Sequence, residues 1–264
     1  MSRKQKSVSD ENVLSAEEIR RHLKNKDVEI YIYDCIDSTN NEARRMCGTI
    51  KNISLFISEE QSAGKGRLGR SFYSPKKTGI YMSLAFKTNL EAFNNPMRIT
   101  MKAAVAVARA LERLENIEAG VKWVNDVYYN GRKISGILTE GVLDVKTGMP
   151  LYAIVGIGIN TSAADFPEDI KNKAGSVNIS HSRNEVIAEI INELLPLYEK
   201  MEDTSFMEEY RKRSIVTGER AKYEEDGDTV LATILGIADN GGLIVQRTDG
   251  KCEIITAGIV EMNL

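Results

Sequence analysis

The sequence predicts an α/β (α+β) fold in which a mixed sheet is packed by helices and a small C-terminal β-barrel follows. Strand-like runs alternate with helical patterns between about residues 28 and 215, whereas beyond this region short strands are separated by Gly and Asp turns. A length of 264 residues with 42% hydrophobic content suffices for one large core and a small satellite domain. We therefore expect three parts, at residues 1–27, 28–215 and 216–264, and the first contributes only one short helix.

The first elements have clear local signals. Ser15-Ala-Glu-Glu18 reads as a capping box that opens a helix to about Lys24, and the alternation over 28–33 predicts a strand. Asp37-Ser-Thr-Asn40 then precedes a helical pattern over 42–47. Each of these four polar residues can cap that helix, and such residues often form local turn hydrogen bonds and nothing more. Local capping is the simpler interpretation of this cluster, and ligand binding is the alternative.

A glycine-rich basic loop occupies residues 61–75. Its three glycines, Gly64, Gly66 and Gly69, alternate with Lys and Arg, so its backbone amides and cations can both face an anion. The spacing comes close to two phosphate-binding motifs, but both require a helix directly after the loop. Here strand-like runs at 53–58 and 80–86 flank it instead. The loop therefore joins two strands, and a solvated basic turn is the competing interpretation.

The next informative segment is a hairpin. A helix over about 97–114 is followed by Asn130-Gly131, the strongest short hairpin signal, which pairs 127–129 with 132–140. Lys133 lies just past this turn, where a lysine is usually solvated. Gly136 follows it in the strand, and strand glycines often mark the close approach of a ligand. Lys122, Asn125 and Asp126 stand just before the hairpin, and the lone Trp123 is expected in the core.

A buried strand over 151–160 carries two glycines, Gly156 and Gly158, on one face and ends in Asn160. Because strand-interior glycines weaken a sheet, we expect these two to clear room for a slender apolar ligand. Two helices are predicted next, from the capping box at Ser182 to about Met201 and over 205–213. The short strands of the last domain are predicted at 221–223, 229–237, 242–246 and 252–255.

Composition excludes several classes of function. A net charge of −3 and two histidines argue against nucleic-acid binding and against histidine-based catalysis or metal binding. The three cysteines are widely spaced without a Cys-x-x-Cys pair, which favours a reducing compartment over a disulfide framework. No apolar run is long enough for a membrane span or a signal peptide, so we expect a cytoplasmic protein with no membrane contact.

Five motifs, taken in order, resemble the biotin protein ligases. They are Asp37-Ser-Thr-Asn40, Gln61-x-Ala-Gly-Lys-Gly-Arg-x-Gly-Arg70, Lys122-Trp-x-Asn-Asp126, Gly131-Arg-Lys-x-x-Gly-Ile137 and Gly156-Ile-Gly-Ile-Asn160. The small last domain resembles the SH3-like C-terminal domain of that family. The resemblance implies a catalytic domain that makes biotinyl-5′-AMP from biotin and ATP with Mg²⁺. The biotin then passes to a lysine of a biotin carboxyl carrier domain, as in acetyl-CoA carboxylase.

The resemblance also implies roles for individual residues. The catalytic pair is Lys133 and Arg67. The biotin-binding set comprises Ser38, Thr39, Asn40, Gln61, Lys65, Gly66, Arg67, Lys133, Gly136, Gly156 and Gly158. The ATP or adenylate set comprises Arg67, Arg70, Phe72, Lys133 and Asn160, and Asp126 is the candidate metal ligand. Val124 and Lys65 depart from the proline and arginine that are common in the family.

Three other interpretations stay open. A lipoate or octanoate transferase would share the broad fold, although the glycine-rich basic loop favours biotin. A ligand-sensing repressor would need DNA-contacting helices before residue 28, and the chain is expected to be of the monofunctional type that lacks them. A biotin sensor without catalysis would not require Lys133 and the arginines. A homodimer through an exposed sheet edge is a further open expectation.

Overall fold

The computed structural model describes residues 13–50, 52–88, 95–162, 165–225, 227–256 and 260–262. The part of the predicted N-terminal extension before residue 13 therefore lies outside the described residues. The five helices of the described part are α1 (Ala16–His22), α2 (Thr39–Met46), α3 (Pro96–Glu115), α4 (Arg183–Glu199) and α5 (Phe206–Arg213). The predicted capping box at Ser182 is complete, since the Ser182 side chain accepts from the Glu185 amide and the Glu185 side chain accepts from the Ser182 amide. At Ser15, the side chain accepts from the Glu18 amide. None of these helices has the length and hydropathy needed to cross a membrane.

A seven-stranded mixed sheet forms the centre of the large domain. Its strands are β1 (Val28–Tyr33), β2 (Ile53–Ser58), β3 (Gly79–Lys87), β4 (Gly120–Lys122), β5 (Asp126–Tyr129), β6 (Arg132–Leu143) and β7 (Pro150–Asn160), in the order β1-β2-β3-β7-β6-β5-β4. Only β1 and β2 pair in parallel within this sheet. The predicted mixed sheet is confirmed, and the glycine-rich loop does join two strands, since β2 and β3 pair antiparallel on either side of it.

The hairpin predicted at Asn130-Gly131 is also confirmed. Both residues have positive φ, 51° and 72°, which is the backbone conformation that this turn requires. The turn sets the register in which Asp126 pairs with Gly136 and Tyr128 pairs with Lys133. Lys133 is therefore the second residue of β6 and is paired across the hairpin.

Helix α3 provides the core that supports the site. Its stretch from Ile99 to Ala108 is buried between the sheet on one side and helices α4 and α5 on the other, because small Ala and Val side chains let these elements approach closely. Trp123 is 7% exposed, as predicted for a core residue, and its indole N–H donates to the Gly241 carbonyl at 2.8 Å. Val124, which departs from the usual proline, is also buried, and the Tyr210 hydroxyl donates to its carbonyl at 3.1 Å.

The last domain is a five-stranded antiparallel sheet. Its strands are β8 (Arg220–Glu225), β9 (Asp228–Ile237), β10 (Leu243–Arg247), β11 (Cys252–Ile255) and β12 (Val260–Met262), in the order β11-β10-β9-β8-β12. Strand β12 was not predicted, because three residues are too few to show an alternation of apolar and polar side chains. Besides the Trp123 contact, Arg211 donates to the Ile237 carbonyl at 2.9 Å. The loops of this small sheet therefore pack against the segment that precedes the β5–β6 hairpin.

A buried ion pair joins helix α4 to the end of β2. The Arg183 guanidinium contacts both carboxylate oxygens of Glu59 at 2.8 and 2.9 Å, and its side chain is only 1% exposed. Breaking a buried pair leaves an uncompensated charge, so we expect Arg183→Met to lower the free energy of unfolding by about 3 kcal/mol in denaturant titration. Arg21→Met is the control, because its pairs with Glu17 and Glu18 are solvent-exposed and should cost less than about 1 kcal/mol. Equal losses in the two variants would contradict this role of Arg183.

Candidate functional site

A cleft opens at the centre of the large sheet and has a volume of about 460 Å³ including its open mouth. It lies between the start of α2, the glycine-rich loop, the β5–β6 hairpin and the middle of β7. Its walls contain twelve of the residues predicted from the sequence, namely Ser38, Thr39, Asn40, Gln61, Lys65, Gly66, Arg67, Phe72, Lys133, Gly136, Gly156 and Gly158. Met82, Asn125, Ile137, Leu138 and Ile157 complete the lining. A cleft with a few converging polar groups among apolar side chains is the usual form of a small-molecule site.

One end of the cleft is a buried polar network. Thr39 donates its backbone N–H to Gln61 Oε1 at 2.9 Å, and Gln61 Nε2 donates to Ser74 Oγ at 2.8 Å. Ser38 is the N-cap of α2, but its side chain makes no capping hydrogen bond. The local interpretation therefore fails for Thr39 and Asn40, whose side chains have partners on β3 and β6. It holds for Asp37, whose carboxylate accepts from Asn41 Nδ2 in the first turn of α2. A buried end with hydroxyl and amide groups suits a compact polar ring.

The strand glycines make room for protein side chains. A Cβ at Gly156 would lie 2.3 Å from Asn40 Oδ1, and a Cβ at Gly158 would lie 2.5 Å from the Phe72 ring. A Cβ at Gly136 would also crowd Phe72 and the end of Lys133. The two glycines of β7 were expected to clear room for an apolar ligand, but the side chains of Asn40 and Phe72 fill the space directly above them. The apolar wall of the cleft comes instead from Met82 and the β6 and β7 side chains.

The glycine-rich loop is a short hairpin. Lys65 and Ser71 form a β-bridge, and the Gly66 amide donates to the Arg70 carbonyl at 2.7 Å. A Cβ at Gly64 would lie 2.4 Å from the Phe72 carbonyl, so this position requires glycine. Because the Gly66, Arg70 and Phe72 amides are already paired, these amides cannot bind an anion, whereas the cationic side chains of the loop can.

Two loop cations are fixed by neighbouring elements. Arg67 Nη1 donates to Asn125 Oδ1 at 3.1 Å, and Lys65 Nζ donates to Asn41 Oδ1 at 2.5 Å. The first contact ties the loop to the segment before β5, and the second ties it to helix α2. The loop therefore spans the mouth of the cleft, and one hydrogen bond holds it on each side. A small displacement of the loop would break these two bonds.

Lys133 lies at the opposite end of the cleft from the buried polar network. Its ammonium group is 2.7 Å from Asp126 Oδ1, and its side chain is 32% exposed, so the solvated-lysine interpretation is wrong. Asn125 Nδ2 also donates to Asp126 Oδ1 at 2.8 Å, which fixes the carboxylate. Burial lowers the pKa of the nearby Lys122, while Asp126 acts in the opposite direction. Arg67 and Lys133 place two cations against one carboxylate, so this end favours an anionic ligand.

Three predicted residues do not line the cleft. Arg70 is exposed, and its charge contributes to lowering the pKa of Lys122. Asn160 donates Nδ2 to the Gly175 carbonyl at 2.8 Å and so holds the segment that follows β7. Asp126 lies behind Lys133 as its ion-pair partner.

Residues able to hold a metal are few. Among the residues that the structure describes, no three His, Cys, Asp or Glu side chains form a cluster that could bind a metal by themselves. A single carboxylate such as that of Asp126 nevertheless suits Mg²⁺, which usually takes one or two protein carboxylates together with substrate phosphates.

Two partners of the polar network were not predicted from the sequence, the buried Ser83 and the partly exposed Glu140. Ser83 lies on β3 beside α2, and Glu140 accepts from Asn40 Nδ2 at 2.7 Å. A signal for Glu140 was available, since it shares one face of β6 with Gly136 and Leu138, both of which line the cleft. No sequence pattern marks Ser83.

Family models match both domains. The model described as the biotin/lipoate A/B protein ligase family matches residues 32–160, and the model described as the biotin protein ligase C-terminal domain matches residues 218–262. The first match begins in β1 and ends with β7, so it contains all of the residues that line the cleft. The second coincides with the small five-stranded sheet.

Individual relatives give the same result over most of the chain. The bifunctional ligase/repressor BirA of Bacillus subtilis is 29% identical over 93% of this chain and 78% of its own length. The biotin–[acetyl-CoA-carboxylase] ligase of Mycobacterium tuberculosis is 26% identical over 84% of this chain and 85% of its own. Among solved structures, the biotin protein ligase from Aquifex aeolicus in complex with biotin and ATP superposes with a TM-score of 0.74 at 25% identity, covering 89% of this chain and 98% of that one.

Proposed function

Because the chain belongs to the biotin/lipoate A/B protein ligase family, we propose that its cleft binds biotin and ATP and catalyses the biotin protein ligase reaction. In the first step a biotin carboxylate oxygen attacks the α-phosphorus of ATP, and pyrophosphate leaves. In the second step a lysine amine of a carrier domain attacks the acyl carbon, which forms an amide and releases AMP. The main support is one arrangement: a buried polar end, an apolar wall and a cationic end follow one another along the cleft.

The order of these three surfaces along the cleft matches the chemistry of biotin. The network of Thr39 and Gln61 suits its polar ring, Ile137 and Ile157 suit its aliphatic chain, and Lys133 and Arg67 suit its carboxylate. The reaction brings this carboxylate against a phosphate, so electrostatic repulsion between two anions is the main obstacle. Fixed cations lower that barrier, and the substrate carboxylate itself is the nucleophile. No histidine base is required.

ATP is expected at the cationic end, next to the biotin carboxylate. We propose that Lys133, Arg67 and Arg70 contact its phosphates and that Phe72 contacts its base. Asn160 contributes indirectly, because its side chain holds the segment at Gly175. Mg²⁺ is proposed to enter with ATP, and Asp126 would hold it. A bound Mg²⁺ would neutralise part of the phosphate charge. The ion pair with Lys133 keeps the Asp126 carboxylate beside the phosphates.

The acceptor is proposed to be the biotin carboxyl carrier domain of a carboxylase. This proposal is supported by the printed name of the M. tuberculosis relative, a biotin–[acetyl-CoA-carboxylase] ligase. A cytoplasmic location is proposed because the reaction needs ATP and because the three cysteines are all unpaired thiols. Neither a homodimer nor the absence of nucleic-acid binding is tested by the features of the cleft, and both stay predictions.

The test is pyrophosphate release from ATP and Mg²⁺ on addition of biotin, with lipoate and octanoate as controls. Release with biotin alone is expected, since the buried end offers hydrogen bonds that a dithiolane ring or an alkyl chain cannot use. Release with lipoate alone would move the assignment to the lipoate branch of the same family. Release with neither acid would leave a binding protein without ligase activity.

A further inference from the structure

The hydroxyl of Tyr210 is buried behind the segment that anchors the glycine-rich loop. Tyr210 lies on α5, its side chain is completely buried, and its hydroxyl donates to the Val124 carbonyl at 3.1 Å. We propose that Tyr210 is a positioning residue: through the Val124 carbonyl it holds Asn125, and Asn125 holds the guanidinium of Arg67 over the cleft. This inference rests on the proposed function, because it concerns how the same cleft retains its adenylate.

The first step concerns the peptide group between Val124 and Asn125. The carbonyl that accepts from Tyr210 belongs to the planar unit that ends at the Cα atom of Asn125. The orientation of this unit therefore helps to set the direction in which the Asn125 side chain leaves the backbone. Asn125 lines the cleft, whereas Tyr210 and Val124 do not. The hydroxyl thus acts on the cleft from behind, through one peptide group.

The second step concerns the amide group of Asn125. Its Nδ2 donates to Asp126 Oδ1 at 2.8 Å and to the Ile137 carbonyl at 3.1 Å, while its Oδ1 accepts from Arg67 Nη1 at 3.1 Å. A carboxylate and a carbonyl can only accept hydrogen bonds, so the amide nitrogen faces them and the oxygen faces Arg67. The bond to the loop therefore depends on where the Asn125 backbone lies.

Two elements hold the backbone at Asn125. From β6, the Ile137 amide donates to the Asn125 carbonyl at 3.0 Å. From α5, Tyr210 holds the preceding peptide group. Without the hydroxyl, the carbonyl of the buried Val124 loses this donor, and a buried carbonyl without a partner costs free energy that a shift of the backbone relieves. Because the bonds to β6 remain, Asn125 should be displaced but not released.

The charged groups around Tyr210 agree with this position. Burial raises the pKa of Tyr210 above its ordinary value, so the hydroxyl keeps its proton and stays a donor. The Asp126 carboxylate also raises this pKa, and the Arg67 guanidinium lowers it. Charges act on a pKa in this way when they lie nearby. Tyr210 is therefore close to the charged groups that Asn125 contacts.

Tyr198 offers a matched control. It lies on α4, is 8% exposed, and its hydroxyl donates to the Ile99 carbonyl at 3.2 Å. Neither Tyr198 nor Ile99 lines the cleft. Tyr210→Phe and Tyr198→Phe thus each remove a buried hydroxyl that donates to a backbone carbonyl. The first carbonyl adjoins Asn125, and the second belongs to helix α3.

The experiment measures how long each protein retains biotinyl-5′-AMP and, separately, the single-turnover rate at which this adenylate forms. Tyr210→Phe is expected to shorten retention about fivefold, the equivalent of one neutral hydrogen bond. It should change the rate of formation less than about twofold, because Lys133 keeps its place on β6. Tyr198→Phe should change neither quantity by more than about twofold. A purely structural role of Tyr210 would make the two variants behave alike.

The path through Asn125 is tested in the Asn125→Ala background, where Tyr210→Phe should shorten retention no further. Retention in Tyr210→Phe equal to that of wild type, equal losses in the two tyrosine variants, or a further loss in the Asn125→Ala background would each overturn the proposal. A wild-type protein that forms no biotinyl-5′-AMP would instead refute the proposed function, and this inference with it.

Two unnatural side chains at position 210 test the role of the donor itself. 4-Aminophenylalanine keeps an N–H donor and should retain the adenylate for as long as wild type. 4-Methylphenylalanine fills the same space without a donor and should lose retention as Tyr210→Phe does. This pair decides the question if Tyr210→Phe does not fold, and equal retention in the two proteins would overturn the proposal.

Discussion

Lys133→Ala is expected to lower the rate of biotin-dependent pyrophosphate release about 1000-fold, because one fixed cation between the carboxylate and the α-phosphate is lost. Lys133 is the cation most constrained in place, since β6 starts one residue earlier and Asp126 holds the ammonium group at 2.7 Å. The measurement is a single-turnover assay of the first step at saturating biotin and ATP. Binding of biotin should weaken far less than the chemical rate, because the polar end of the cleft is untouched.

The control for this variant is Lys76→Ala. Lys76 has the same charge but pairs with Asp34 on the surface, and it does not line the cleft. Its removal tests whether any loss of positive charge slows the reaction, and no measurable change is expected. A first-step rate in Lys133→Ala within a few-fold of wild type would remove Lys133 from the catalytic role.

Arg67→Ala is expected to shorten the time for which the protein retains biotinyl-5′-AMP by about 100-fold, which corresponds to one or two lost charge-assisted hydrogen bonds. Arg67 connects the glycine-rich loop to Asn125 and is the cation that the loop brings over the cleft. A loop that closes over the adenylate excludes the water that would hydrolyse it. The measurement is the rate at which adenylate appears in the filtrate after its formation, in the absence of an acceptor.

Asn125→Ala is the informative companion of this variant. It removes the partner of Arg67 but keeps the guanidinium charge. If loop closure and charge both contribute to retention of the adenylate, its retention time should lie between those of wild type and Arg67→Ala. Retention as long as wild type in Arg67→Ala would refute gating by the loop. Retention lost equally in both variants would show that the loop position, and not the charge on Arg67, holds the adenylate.

Local signals explain why much of the fold could be predicted. The turn at Asn130-Gly131 requires positive φ at two consecutive residues, and Ser182 with Glu185 satisfies the first amides of α4. Each of these features depends on only a few neighbouring residues. The glycine-rich loop could likewise be placed between strands because no helix follows it. Strand β12, with three residues, has too few positions for a period to be read.

The candidate site was harder to predict because its contacts are remote in sequence. Asn40 meets Glu140 across 100 residues, and Ser83 joins them from a third element. Only the folded sheet brings these residues together, so short motifs could not distinguish a helix cap from a buried network at Asp37-Ser-Thr-Asn40. The position of Phe72 above Gly158 was missed for the same reason, since a strand glycine does not tell whether a ligand or a side chain approaches it.

The most direct test of the central claim is a two-stage labelling experiment with the full chain. The protein is first incubated with biotin, ATP and Mg²⁺, freed of small molecules by rapid gel filtration, and then mixed with a biotin carboxyl carrier domain. We expect that biotinyl-5′-AMP stays with the protein and that one biotinyl group then appears on a single carrier lysine by mass spectrometry, without further ATP. An unmodified carrier, together with adenylate that never forms on the protein, would refute the proposed ligase reaction.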